Sequence, residues 1–275
     1  MPTAFVLGGG GLLGAVEVGM LRALLEAGVR PDLVLGTSVG ALNGVFVAAD
    51  PTPAAAARLE QLWGALAGEV FGSSLVRQVG TAVRTRTSLH RRGPLRRLLL
   101  EHLPVRDFAD LAVPFGCVAA CVERAAEQWF DDGPLVDAVL ASAAVPGLLP
   151  PVEIGGEHFV DGGLVNSIPV GEAVRRGART VFVLQVGRVE RPLRPPRQPW
   201  QVGAVAFEIA RRHRFAADMA AVPEGVTVHV LPTGAPAAAA GRLDDLRYRD
   251  TSRVADRMAR AYEASAAHLA GLAAG

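Results

Sequence analysis

The sequence predicts an α/β fold in which a mostly parallel central sheet lies between two layers of helices, a three-layer α/β/α sandwich. Strand-length apolar runs alternate with helical segments in the order β-α-β-α over the first fifty residues. This order is typical of parallel strands joined by crossover helices. Half of the 275 residues are hydrophobic, so a sizeable core is available to such a sheet.

The predicted elements continue this alternation along the chain. Thr3 to Leu7 predicts the first strand, and the helix over 15–27 ends before Gly28, a residue suited to a helix C-cap. The second strand leads into a helix that stops at Asp50-Pro51. The later elements are helix 53–67, strand 114–122, a short strand at 129–130, helix 135–143, a hairpin over 152–163, helix 170–177, strand 180–186, helix 201–221, strand 226–231 and helix 250–272.

We expect these elements to form one domain over residues 1–275. Its motif-bearing core covers about 3–187, a Pro-rich connection covers 188–199, and a helical C-terminal part covers about 200–275. The sequence contains no internal repeats.

Composition excludes several classes of protein. A net charge of +1 argues against a dedicated nucleic-acid binder. Cys117 and Cys121 would lie about 13 Å apart on one strand, too far for a disulfide, and no Cys, His or carboxylate cluster has the spacing of metal ligands. The N-terminus lacks the basic region of a signal peptide and no run is long enough to span a membrane. The sequence therefore predicts a cytoplasmic protein without metal or cofactor.

The segment from Leu33 to Gly44 carries the pattern G-x-S-x-G between a strand and a helix. A serine on such a tight turn is held in a strained conformation with its hydroxyl accessible. Gly36 and Gly40 provide the side-chain-free positions that the close approach of strand and helix requires. Since a helix N-terminus favours negative charge beside it, Ser38 is the candidate nucleophile.

Two further segments can complete an acyl-transfer site. Gly9, Gly10 and Gly11 follow the first strand, and their backbone N–H groups can form an oxyanion hole. The loops after two parallel strands emerge at the same edge of the sheet, so these donors can meet Ser38. Asp161 precedes a Gly-Gly pair, where a rigid corner can present its carboxylate.

These three segments give the chain a resemblance to the patatin-like phospholipases. Residues 9–15 are similar to the family's G-G-G-x-[RK]-G loop, and residues 36–40 match its G-x-S-x-G. Residues 141–146, then 150–152 and then 160–163, resemble the block that ends in D-G-[GA]. The resemblance covers about residues 3–187 and implies a patatin-like fold.

The resemblance also implies a chemistry without histidine. Asp161 would accept the proton of Ser38, the acyl chain would pass to Ser38, and water would then release it. The substrates would be lipid or other carboxylic esters, of phospholipase A, lysophospholipase or carboxylesterase type. A carboxylate with an ordinary pKa of about 4 needs burial to act as this base. Leu13 replaces the family's Arg or Lys, which bears on phospholipid preference more than on hydrolysis.

Two alternatives remain open from the residues. A Ser-His-Asp hydrolase of the α/β-hydrolase type would need a histidine such as His229 or His268, although the first lies in a predicted strand and the second on an amphipathic helix. His158 precedes Asp161 on the same hairpin. The other alternative is a catalytically weak lipid-binding protein with the same fold. Dinucleotide binding is disfavoured because the second strand ends in the serine turn and lacks the required acid.

The stretch 77–106 contains eight arginines against the single acid Glu101. Such a charged stretch is typical of a solvated helical hairpin, and it also suits transient contact with an anionic membrane surface. The predicted partners are therefore a lipid or ester substrate and a membrane surface, without nucleic acid.

Overall fold

The structure is a computed structural model that describes residues 2–69, 93–186, 192–193, 195–235 and 254–274. The predicted order of elements is found, with ends that differ by a few residues. The elements are β1 Thr3–Leu7, α1 Ala15–Glu26, β2 Leu33–Thr37, α2 Val39–Ala49, α3 Pro53–Glu69, α4 Gly93–His102, β3 Phe115–Cys121, β4 Ala126–Phe130, α5 Leu135–Ser142, β5 Val152–Ile154, β6 Glu157–Asp161, α6 Val170–Arg175, β7 Thr180–Leu184, α7 Pro199–Ala220, β8 Thr227–Val230 and α8 Val254–Ala274.

The strands form one mixed sheet in the order β5-β6-β3-β2-β1-β7-β8, with β4 also paired to β3. The pairs that join β3, β2, β1, β7 and β8 are parallel, and the pairs that involve β4, β5 and β6 are antiparallel. Alternate residues of β1 enter different cores: Phe5 and Leu7 pack with α1 and α2, whereas Ala4 and Val6 pack with α6 and Phe215 of α7. This period of two gives the predicted three-layer arrangement.

Two strands meet end to end along one edge of β3. Cys117 pairs with both β2 and β4, so those two strands lie on opposite edges. Ala119 pairs with both β4 and β6, so β6 lies on the same edge as β2. Because β2 is parallel to β3 and β6 is antiparallel, their C-terminal residues converge: Thr37 pairs with Val118, and Asp161 pairs with Ala119.

The predictions about the cysteines, the Arg-rich and Pro-rich stretches and membrane-spanning helices concern regions away from the ends of β2 and β6. Cys117 and Cys121 are buried free thiols on β3, as expected. Residues 77–92 of the Arg-rich stretch, and residues 188–191 and 194 of the Pro-rich connection, lie outside the described residues. Among the helices of the described segments, none has the length and apolarity needed to cross a membrane.

The crossing of α1 and α8 depends on the missing side chain of Gly19. A Cβ at this position would lie 2.1 Å from the carbonyl oxygen of Met258. We expect Gly19→Ala to lower the free energy of unfolding by about 1–3 kcal/mol, because the overpacking exceeds the gain in helix propensity. Urea unfolding measures this change.

Gly64→Ala is the matched control, since a Cβ at Gly64 in α3 meets no described atom within 4 Å. It should leave stability unchanged or raise it by up to about 1 kcal/mol. Equal effects of the two substitutions would contradict a close contact at Gly19.

Candidate active site

Ser38 lies on the turn between β2 and α2 with an uncommon backbone conformation. Its φ of 57° and ψ of −121° place it in a region that residues with a Cβ rarely occupy. The backbone N–H of Ser38 donates to the Oγ of Ser142 at 2.9 Å. This bond to α5 helps to hold the strained turn, and Ser38 is only 5% exposed.

Three backbones approach each other around this turn. A Cβ at Gly36 would lie 2.5 Å from the carbonyl oxygen of Gly40, and a Cβ at Gly40 would lie 2.3 Å from the carbonyl oxygen of Leu7. Any side chain at either position would therefore push β2, α2 and β1 apart.

The carboxylate of Asp161 is in direct contact with the Ser38 hydroxyl. The Oγ of Ser38 donates to Oδ2 of Asp161, and the backbone N–H of Gly163 donates to Oδ1 at 2.7 Å. Asp161 is 2% exposed, and this burial raises the pKa of its carboxyl to about 6, although the two hydrogen bonds oppose the shift. This burial agrees with the expectation that a carboxylate acting as the base would be buried.

The glycine loop passes beside Ser38 and is anchored by backbone bonds. The N–H of Gly8 donates to the carbonyl oxygen of Leu184 at 2.9 Å, and the N–H of Gly9 donates to the carbonyl oxygen of Ser167 at 2.9 Å. A Cβ at Gly9 would lie 3.4 Å from the Cβ of Ser38. Gly9 therefore anchors the loop to the segment before α6, which differs from the prediction that its N–H is a free donor.

Gly10 and Gly11 are the remaining candidate donors of the loop. A Cβ at Gly10 would lie 1.8 Å from Cγ2 of Val186, a residue predicted to extend β7 that instead follows the strand's end at Leu184. Gly11 has a φ of 58°, which favours glycine. The shape of the loop at both positions thus depends on glycine.

A buried polar network that was not predicted from the sequence joins the loop to α2. The Nδ2 of Asn43 donates to the carbonyl of Gly14 at 3.0 Å and to Oε2 of Glu17 at 2.8 Å. Its Oδ1 accepts from Nε1 of Trp63 at 2.9 Å. All three side chains are buried, and burial raises the pKa of Glu17. A polar residue inside the apolar run of α2 is the sequence signal that could have indicated this network.

The structure does not bring His229 of the alternative triad to Ser38, and His268 lies on α8 without a hydrogen bond to Ser38 among the described contacts. His229 lies on β8, with β7 and β1 between it and β2, and its ring stacks on Phe182 at 5.0 Å. The Nδ1 of His158 lies 2.7 Å from Glu123 on an exposed hairpin. Within the described segments, no three His, Cys, Asp or Glu side chains form a group that could hold a metal ion.

The comparisons with known proteins include a family model whose match spans both Ser38 and Asp161. The family model described as patatin-like phospholipase matches residues 5–174. Patatin-like phospholipase domain-containing protein 6 of Mus musculus is 32% identical over 186 residues, which are 67% of this chain and 13% of that protein. Lysophospholipase NTE1 of Candida glabrata is 31% identical over 188 residues, 67% of this chain and 10% of that protein.

The chain thus corresponds to a small part of the length of these relatives. Among solved structures, VipD from Legionella pneumophila has a TM-score of 0.50 and 13% identity, and the match covers 98% of this chain and 67% of that chain. This likeness concerns the fold alone.

The raised pKa of Asp161 predicts how stability depends on pH. The folded carboxyl has a pKa of about 6, against about 4 in an unfolded chain, so the folded state holds this proton more tightly. The contribution of Asp161 to stability is therefore full below about pH 4 and is lost as the pH rises through about 6.

We expect Asp161→Asn, which cannot ionise, to unfold at a higher urea concentration than the wild type at pH 8. The gain should be roughly 1–3 kcal/mol and should shrink as the pH falls toward 4. A variant that is less stable than the wild type by the same amount at every pH would contradict the raised pKa.

Proposed function

Because the chain belongs to the patatin-like phospholipase family, we propose that it is a serine-dependent lipid acyl hydrolase with Ser38 and Asp161 as its catalytic dyad. The observation that carries the proposal is the buried hydrogen bond from Ser38 Oγ to Asp161 Oδ2. The proposed substrates are carboxylic esters of lipids, of phospholipase A or lysophospholipase type; the names of its relatives include phospholipase and lysophospholipase.

In the proposed reaction, Asp161 takes the proton of Ser38 as Oγ attacks the ester carbonyl. The tetrahedral intermediate places its negative charge beside the amides of Gly10 and Gly11 and the N-terminus of α2. Collapse of the intermediate expels the alcohol, which takes the proton from Asp161. Water then attacks the acyl-Ser38 ester with Asp161 as base, and the proton returns to Ser38 as the fatty acid leaves.

The environment of Asp161 supports its proposed role as a base. A pKa of about 6 brings the carboxylate closer to neutral pH, where a base is both ionised and able to hold a proton. The bond from the Gly163 N–H fixes the carboxyl group, so that Oδ2 remains directed at Ser38. The dyad is therefore set before substrate arrives.

The extent of the domain, the location of the protein and its contact with membranes remain predictions from the sequence. They are the single domain over 1–275, the cytoplasmic location, and membrane contact through 77–106. Leu13, which stands where the family carries a cation, is half-buried. The proposal assigns it no role in ester hydrolysis, since backbone donors do not need its side chain.

The dyad predicts which substitutions abolish turnover of a soluble ester such as p-nitrophenyl butyrate. Ser38→Ala and Asp161→Asn should each lower kcat by about 10³-fold or more, because nucleophile and base act as a unit. His229→Gln and His268→Gln should stay within about twofold of the wild type. An inactive histidine variant with an intact fold would favour the Ser-His-Asp alternative.

The pH profile tests the protonation state of the base. Asp161 must be ionised to accept a proton, so kcat/KM for the same ester should rise with pH through about 6 and level off above it. A profile that stays flat down to about pH 4 would argue against Asp161 as the group that titrates.

The glycine loop gives a further prediction about the oxyanion. Gly10→Ala should lower kcat by about 10²–10³-fold, since the added methyl collides with Val186 and displaces the loop. Val186→Ala should have little effect alone and should restore part of the activity in the Gly10→Ala background. If the Gly10→Ala/Val186→Ala double variant were no more active than Gly10→Ala alone, the collision with Val186 would not be the cause of the lost activity.

A further inference from the structure

Ser167 carries a buried hydroxyl group that is not paired in the resting protein. The residue is 1% exposed, and its Oγ has no hydrogen-bond partner among the residues that the structure describes. Most buried polar atoms are paired, because burial removes their hydrogen bonds to water. A serine hydroxyl can donate one hydrogen bond. Ser167 therefore holds a donor inside the fold that lacks an acceptor.

The backbone of Ser167 is attached to both the glycine loop and the nucleophile turn. Its carbonyl oxygen accepts from the N–H of Gly9 at 2.9 Å. The carbonyl oxygen of Asn166 accepts from Oγ1 of Thr37, the residue before Ser38, at 2.8 Å. These two bonds fix the position of the segment relative to the nucleophile.

The side chain of Ser167 also lies close to the side chain of Ser38. A Cβ at Gly9 would lie 3.2 Å from Oγ of Ser167 and 3.4 Å from the Cβ of Ser38. Both side chains therefore border the same point beside the loop, and the unpaired hydroxyl faces the region next to the nucleophile.

The proposed reaction creates a negative charge near this region. When Oγ of Ser38 bonds to the ester carbonyl carbon, the π electrons of the C=O bond move to the carbonyl oxygen. That oxygen is two bonds from Oγ and so lies close to the Ser38 side chain. Hydroxyl groups can serve as donors to such an oxyanion. The Gly9 amide is already bonded to Ser167, so the loop lacks one of its three predicted donors.

We propose that the hydroxyl of Ser167 donates a hydrogen bond to the oxyanion and completes the oxyanion hole with the amides of Gly10 and Gly11. The inference rests on the proposed function. Ser167 replaces the donor that its own carbonyl oxygen takes from Gly9. Because the acceptor gains its full charge only as the tetrahedral intermediate forms, this bond stabilises the transition state more than the bound ester.

The variant Ser167→Ala, assayed with p-nitrophenyl butyrate, tests this role. Its kcat should fall by about 10–10²-fold, the effect of losing one neutral oxyanion donor. KM should stay within about twofold of the wild type, because the bond forms mainly in the transition state. The rise of kcat/KM with pH through about 6 should be unchanged, since Asp161 keeps its surroundings.

Stability separates this role from a structural one. Removing an unpaired buried hydroxyl breaks no hydrogen bond in the resting protein. Ser167→Ala should therefore unfold at a urea concentration equal to or above that of the wild type. The matched control is Ser265→Ala, which removes an equally buried hydroxyl on α8 that donates to the carbonyl oxygen of Pro232 at 3.3 Å. Its kcat should stay within about twofold of the wild type.

Inhibition by butylboronic acid measures the same interaction without turnover. The boron atom bonds to Oγ of Ser38 and becomes a negatively charged tetrahedral centre that resembles the intermediate. Its affinity should fall by about tenfold or more in Ser167→Ala, in parallel with kcat.

A kcat of Ser167→Ala within about twofold of the wild type would overturn the proposal, as would an unchanged affinity for the boronic acid. Lost activity together with a lower urea midpoint or a shifted pH profile would also overturn it, because the hydroxyl would then have a structural role. A wild type that neither hydrolyses the soluble ester nor binds the boronic acid would refute the proposed function, and the role of Ser167 with it.

Discussion

The pairing of β3 with two strands on the same edge is the constraint on which the candidate site depends. It brings the ends of β2 and β6 to neighbouring positions, so that Ser38 and Asp161 meet although 123 residues separate them. A shift of β6 by one residue would turn Asp161 to the opposite face of the sheet. Cys117 and Ala119 pack into the helical core below β3 and help to fix this register.

Bringing Ser38 and Asp161 together lowers the stability of the fold, and interactions elsewhere must offset this loss. Ser38 keeps a strained backbone, and Asp161 buries a carboxyl group whose ionised form is disfavoured. The Oγ of Ser142 accepts a hydrogen bond from the Ser38 N–H, and the Gly163 N–H donates one to the Asp161 carboxylate. The buried network of Asn43 supports the loop in the same way. The strained turn and the buried carboxyl group thus lower the stability of the fold, and the packing of the surrounding hydrophobic cores offsets this loss.

Local patterns in the sequence predicted the fold class, the strained turn and the corner that presents Asp161. Those features depend on the spacing of hydrophobic residues along each segment and on glycines within a few residues of Ser38 and Asp161. The hydrogen bond between Ser38 and Ser142, and the bond from the Gly9 amide to the carbonyl of Ser167, were not predicted. Each depends on segments far apart in the chain, and the periodicity of one segment does not specify what packs against it.

Reaction with a fluorophosphonate probe measures whether Ser38 is activated by Asp161, because the probe needs an activated serine but no particular lipid. We expect one adduct at pH 8, mapped by mass spectrometry to Ser38, and labelling of folded Asp161→Asn that is slower by about 10²-fold or more. An adduct at another residue, or Asp161→Asn labelled at the wild-type rate, would contradict it.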